Sequence, residues 1–233
     1  MIEMRKASKI IPVLALAVMT AVALPTAWAQ LDLPEQGPRI ATVEFTSSQP
    51  GINPGYYSVV IDSMGTASYW SLPNSDLQTG SPYSVEFEVS AQTRAEIFQL
   101  TQQLRLVDGD FQNEYSEPWL KSLTFSDGPI EHAIFYTNSA NPSMNQLTVL
   151  FEKIADTLEF GRRLAAFRTR NPQGLTSELL QMKQELAQGN LAEVRAIAPT
   201  LQAVASDSAV PEIARRYAGD ILQQANQPSA LPD

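Results

Sequence analysis

The sequence predicts an α+β protein, in which an antiparallel sheet is covered by helices on one face and followed by an all-helical extension. Residues 83–90 alternate apolar and polar side chains, which is typical of a half-buried strand. From residue 91 onwards the apolar spacing becomes that of a helix. Strand patterns otherwise follow one another without crossover helices, which favours antiparallel pairing. After residue 171 only helical patterns remain.

Residues 1–29 have the features of a cleavable export signal. Three basic residues precede the apolar run 10–24, and the small-x-small motif at 27–29 predicts cleavage before Gln30. The alternative is a membrane anchor, but a spanning helix needs about 20 apolar residues and Pro25 ends this run. We therefore expect an exported protein, periplasmic or extracellular, with no stable membrane anchor after cleavage.

Residues 30–170 are predicted to form the α+β domain. Its first strand is expected at 40–47, and a β-hairpin follows at 56–62 and 66–72. A polar loop, 73–82, leads into the alternating strand. The remaining elements are a helix over 91–105 capped by Ser90, a hairpin at 122–126 and 130–137, and a long helix that Asn141 caps and that ends near Arg170.

Residues 171–225 are predicted to be the helical extension, and residues 226–233 a loose tail. Within the helical extension, the sequence predicts a helix cap at Thr176 or Ser177, a capping box formed by Asn190 and Glu193, a bend at Pro199, and a helix start at Pro211. No internal repeat period supports a stacked-repeat fold. We therefore expect these helices to bury their apolar faces on the sheet domain or on a partner.

Composition excludes several kinds of chemistry. The 233 residues contain no cysteine and one histidine, so disulfides, thiolate metal sites and cysteine nucleophiles are impossible. The net charge of −9 argues against nucleic-acid binding, which needs clustered basic residues. His132 is expected to be structural or exposed, because no nucleophile motif accompanies it. No catalytic residue and no cofactor is predicted.

Acidic residues supply two candidate sites. Asp108, Asp110 and Glu114 form the densest acidic segment, with Glu117 nearby, and hard cations such as calcium prefer several oxygen ligands. Their spacing lacks the third ligand and the glycine of an EF-hand loop, so a solvated turn is the alternative. Paired carboxylates can also hydrolyse glycans. A glycan hydrolase of this kind would require two acidic residues to meet in a cleft. The candidates are Glu86, Glu88, Asp108, Asp110 and Glu131.

Aromatic residues are concentrated in the predicted strands. Most are expected to pack in the core or in cross-strand pairs. Exposed aromatic residues on a sheet bind glycans or peptides, and Tyr56 and Trp70 are the candidates for this role.

The hairpin has the pattern Tyr-x-Val-x-Ile-x-x-x-Gly-x-x-x-Tyr, from Tyr57 to Tyr69, and a helix follows Ser90. In this it resembles a family of uncharacterised exported bacterial proteins, over roughly residues 40–140. The family has no assigned activity. The resemblance therefore implies an exported location and antiparallel hairpins followed by a helix, and no functional residue is carried over.

Together these features predict an exported, non-enzymatic binding or interaction module. Its expected partner is another envelope protein, with no role for nucleic acid. A carboxylate-dependent hydrolase acting on cell-envelope glycans or peptides is the alternative. A metal-dependent adhesion module centred on residues 108–117 is the third hypothesis.

Overall fold

The computed structural model describes residues 40–73, 81–105 and 119–226, and their arrangement is α+β, as the sequence predicts. All of them belong to one compact unit. The signal predicted at 1–29, most of the loop 73–82, the acidic segment 108–117 and nearly all of the tail lie outside the described residues.

One six-stranded sheet forms the β layer. Its strands are β1 (Thr42–Ser48), β2 (Tyr56–Asp62), β3 (Thr66–Leu72), β4 (Tyr83–Glu88), β5 (Leu120–Asp127) and β6 (Ile130–Tyr136). They pair in the order β4-β3-β2-β1-β5-β6, and every pair is antiparallel. The predicted strand ends differ from these by at most two residues, because alternation identifies a strand more sharply than its ends.

Two helices cover one face of the sheet, which confirms the predicted layering. They are α1 (Ala91–Arg105) and α2 (Pro142–Arg170), and Asn141 caps α2 by accepting hydrogen bonds from Ser143 N and Met144 N. Val43, Phe45 and Ile61 point into this layer and are fully buried. Phe45 stacks on Phe151 of α2 with ring centroids 5.1 Å apart.

The C-terminal part is all-helical, also as predicted. It contains α3 (Leu175–Ala187), α4 (Ala198–Ser206) and α5 (Glu212–Asn226). Helix α2 contacts α1 and β2, and it also contacts α3 and α4, so the extension packs on the helical layer of the sheet domain. The extension approaches α2 closely at Gly161, where an added Cβ would lie 2.5 Å from Ile197 Cγ2.

Two predicted signals in the extension are wrong in detail. Helix α3 begins at Leu175 after a short turn over Pro172–Gly174, so neither Thr176 nor Ser177 is its cap. Pro199 lies in the first turn of α4 and does not bend a helix. The first turn of a helix accepts proline readily, because a backbone N–H at that position would have no hydrogen-bond partner within the helix.

The predicted capping box is also wrong, because Glu193 caps a different helix. Its carboxylate accepts hydrogen bonds from Ser90 N at 3.0 Å and from Ser90 Oγ at 2.8 Å, and a further one from Thr93 Oγ1. Ser90 Oγ in turn accepts from Thr93 N at 3.2 Å, as predicted for the α1 cap. A negative charge is favourable at a helix N-terminus, so Glu193 ties the extension to α1.

Glu193 also adopts a left-handed backbone conformation, with φ of 55°. Replacing it with glutamine is expected to lower the free energy of unfolding by about 1–2 kcal/mol, because the charge at the α1 cap is lost. Urea denaturation followed by circular dichroism measures this change. Glu96→Gln, at an exposed site within α1, is the control and should change little. Equal unfolding midpoints for the two variants would contradict the capping role.

Candidate functional site

The sheet face opposite α1 and α2 is the candidate functional surface, and we call it the open face. It consists of the outward positions of the six strands, among them Glu44, Tyr56, Trp70, Glu86 and Phe135. Helices α1 and α2 pack on the other face. The open face is therefore a broad surface that strand alternation presents outwards.

The open face is acidic. Glu44, Glu86, Glu88 and Glu131 occupy outward positions, and the outward positions of the six described strands include no lysine or arginine. Serine and threonine fill many of the remaining outward positions, as in the hydrogen bond between Thr46 Oγ1 and Ser122 Oγ at 2.7 Å. With no cation among them, these carboxylates attract positively charged groups.

Tyr56 and Trp70, the two predicted binding residues, lie together on this face. Their rings meet edge to face with centroids 5.5 Å apart, and Trp70 is 39% exposed. Partial burial raises the pKa of Tyr56, and the negative charge of Glu44 raises it further. Tyr56 is therefore a neutral hydrogen-bonding group that supports the exposed indole of Trp70.

A shallow groove of about 540 Å³ lies beside Trp70. Ser68 and Ser84 contribute hydroxyl groups to it, and Glu86 contributes a carboxylate. Its volume lies within the ~300–1,000 Å³ of small-ligand sites. The groove thus offers one aromatic surface, one negative charge and two neutral hydrogen-bonding groups.

The residues proposed for hydrolysis do not converge. Glu86 lies on β4 and Glu131 on β6, at opposite edges of the sheet, so five strand spacings, about 24 Å, separate them. Glu86 and Glu88 are neighbours on one strand, about 7 Å apart along it, and both are exposed on the open face rather than enclosed in a cleft. Asp108 and Asp110 lie outside the described residues.

The acidic segment predicted to bind a metal, Asp108, Asp110 and Glu114, also lies outside the described residues. Within residues 40–73, 81–105 and 119–226, no group of three histidine or acidic residues is placed to hold a metal ion.

His132 is exposed and borders a cavity of about 30 Å³ with Thr101. The Thr101 hydroxyl donates to Ile97 O at 2.8 Å, so it is held as part of α1.

A buried carboxylate that the sequence analysis missed lies between the sheet and α2. Glu159 is 3% exposed, and its Oε1 accepts hydrogen bonds from Tyr69 Oη at 2.9 Å and Ser71 Oγ at 2.8 Å. Its Oε2 pairs with Arg162 Nε at 2.6 Å. Burial, and then the charge of Glu159, raise the pKa of Tyr69 far above its ordinary value, so the phenol remains a hydrogen-bond donor.

The signal for this network was present in the helical pattern. Glu159 follows Phe151 and Ala155 at four-residue steps, which places a carboxylate on the apolar stripe of α2. Its three partners satisfy the buried charge in place of water. The geometry is that of a structural network, which holds β3 against α2 beneath the Trp70 groove.

Asp156 extends a row of carboxylates along α2. Partial desolvation, and then the negative charge of Glu152, raise its pKa to about 6, while Arg163 acts in the opposite direction. The folded chain therefore holds this proton more tightly than the unfolded chain, whose aspartate has an ordinary pKa of 3.8. Ionisation of Asp156 thus reduces stability as the pH rises between these two values.

Comparisons with other proteins add no assignment. No protein-family model matches the sequence, and no curated protein matches it.

None of the helices in residues 40–73, 81–105 and 119–226 is long and apolar enough to cross a membrane.

Proposed function

We propose that this protein is an exported, non-enzymatic binding module, and that its open face binds a basic peptide segment of another envelope protein. The observation that carries the proposal is the Trp70 groove on an acidic face. Export rests on the predicted signal at residues 1–29, which would leave a mature chain that starts at Gln30.

Charge favours a cationic peptide over a neutral ligand at this face. Glu86 lines the groove beside Trp70 and the charge of Glu44 acts on Tyr56, so arginine or lysine side chains match both the aromatic pair and its neighbouring carboxylates. A guanidinium group packs on an indole through a cation–π contact and pairs with a carboxylate at the same time. In the Trp70 groove, Trp70 and Glu86 provide these two contacts side by side.

The test is calorimetric titration with a synthetic decapeptide that contains alternating arginine and serine. The protein is recovered from the envelope fraction of a secreting host, where its first residue should be Gln30. We expect saturable binding that weakens about tenfold or more in Trp70→Ala, because an exposed aromatic anchor is lost. A decapeptide with glutamate in place of arginine should not bind.

A matched pair of double variants separates a local site from general electrostatic attraction. Glu86→Gln with Glu88→Gln removes two charges from the open face, whereas Glu96→Gln with Glu212→Gln removes two exposed charges from helices. Only the first pair should weaken binding strongly. Equal losses in both pairs, or full affinity in Trp70→Ala, would contradict a binding site on the open face.

A further inference from the structure

A second concave site lies at the end of the sheet where β1 ends, β5 begins and α2 passes. It is a cavity of about 410 Å³, which we call the Trp119 pocket after its aromatic wall. Its volume is in the range of small-ligand sites, about 300–1,000 Å³. It shares none of its lining residues with the Trp70 groove.

The charged wall of the Trp119 pocket is electrically balanced. Lys121 Nζ and Glu152 Oε1 form an ion pair at 2.9 Å, and both side chains are partly exposed, at 20% and 35%. A neutral ligand can bond to both groups without separating them. A zwitterion would have to compete with this contact, and a simple anion or cation would meet the opposing charge of the pair.

The remaining walls carry one aromatic ring and two amides. The Trp119 side chain is half exposed, and Thr137 Oγ1 donates to the Trp119 carbonyl at 2.9 Å, which fixes the backbone at this position. Gln49 and Asn138 line the same cavity, and an amide side chain both donates and accepts hydrogen bonds. Gln49 is oriented by its own bond from Nε2 to Ser47 Oγ, at 3.2 Å.

We propose that the Trp119 pocket binds a neutral sugar unit. A pyranose ring has apolar C–H faces, which can pack on the Trp119 indole, and a rim of hydroxyl groups that both donate and accept. Lys121 can donate to one ring hydroxyl while Glu152 accepts from its neighbour, and the ion pair remains intact. Gln49 and Asn138 provide further hydrogen bonds at the rim.

The indole of Trp119 makes the proposal directly testable. After cleavage before Gln30 the chain contains two tryptophans, Trp70 and Trp119, so Trp70→Phe leaves Trp119 as the one fluorescent indole. We expect glucose, N-acetylglucosamine or cellobiose to shift the Trp119 emission saturably, with a dissociation constant in the millimolar range typical of weak ligands. The Trp70→Phe background also separates this result from binding at the open face.

Charge-pair variants then test the recognition itself. Lys121→Met and Glu152→Gln should each weaken sugar binding about tenfold, because one charged hydrogen-bonding partner is lost. Lys183→Met is the control, because it breaks a similar ion pair in the helical extension, between Lys183 Nζ and Asp220 Oδ2 at 2.6 Å. This control should leave the affinity for sugar unchanged. Glu152→Gln preserves side-chain shape, so it remains informative if Lys121→Met folds poorly.

Three results would overturn the proposal. The first is an emission that none of the three sugars shifts saturably. The second is an equal loss of affinity in Lys183→Met and Lys121→Met. The third is tighter binding of the dipeptide glycyl-leucine than of any sugar, which would assign the pocket to a zwitterion.

Discussion

Replacing Glu159 with alanine is expected to lower the free energy of unfolding by about 3–5 kcal/mol, as is usual when one partner of a buried ion pair is removed. The truncation leaves Tyr69 Oη and Ser71 Oγ without their acceptor, and it leaves Arg162 without its carboxylate. Each buried polar group that loses its partner adds a desolvation cost. Urea denaturation at neutral pH, followed by circular dichroism, measures the change.

Two companion variants define how the network stabilises the fold. Glu178→Ala breaks the Arg163–Glu178 pair, in which the arginine is 36% exposed, and should cost about 1 kcal/mol or less. Glu159→Leu combined with Tyr69→Phe and Ser71→Ala removes the carboxylate together with its two hydroxyl partners, and it should recover much of the loss because the remaining partner, Arg162, is partly exposed. If Glu159→Ala costs no more than Glu178→Ala, the carboxylate is not buried in solution.

Gly161→Ala is expected to destabilise the protein by about 2 kcal/mol, even though alanine is the better helix former by about 1 kcal/mol. The new Cβ would lie 2.5 Å from Ile197 Cγ2 and 3.1 Å from Ile197 Cβ, so α2 and the Val194–Ile197 turn would have to separate. The glycine is therefore needed for the close approach of the extension to α2.

Gly219→Ala provides the matched control, because Gly219 is also helical and its added Cβ would meet nothing within 4 Å. The free energy of unfolding of this variant should rise by about 0.5–1 kcal/mol. Combining Gly161→Ala with Ile197→Ala tests the contact itself. The loss of unfolding free energy in the double variant should be smaller than the sum of the two single losses by at least about 1 kcal/mol. Strict additivity would contradict a clash between these two residues.

Local patterns in the sequence predicted most of the fold. Alternation identified β4 and the face that it turns to the core, and strand-forming residues on either side of a turn identified the hairpin of β2 and β3. Asn141 with Pro142 marked the start of α2, and the apolar stripe of α2 was recognisable over its length. These signals depend on neighbours within a few residues, so tertiary packing reinforces them without changing them.

Long-range contacts were beyond the same reasoning. Glu193 contacts Ser90 across 103 residues, and nothing near Glu193 in sequence indicates that its partner is the α1 cap. The two ion-pair partners in the Trp119 pocket, Lys121 and Glu152, come from β5 and α2, and no spacing rule joins a strand to a later helix. The Tyr56–Trp70 pair could be anticipated because one hairpin register brings both residues to the same face.

The two edges of the sheet differ in a way that bears on self-association. In the described part of the chain neither β4 nor β6 has a neighbour on its outer side, so each leaves backbone hydrogen-bonding groups open to an additional strand. Glu86 and Glu88 place repelling charges along β4, which opposes the approach of a second β4. Strand β6 carries a single carboxylate, Glu131, and exposes Ile130 and Phe135, so it is the edge at which two chains would pair more readily when the protein is concentrated.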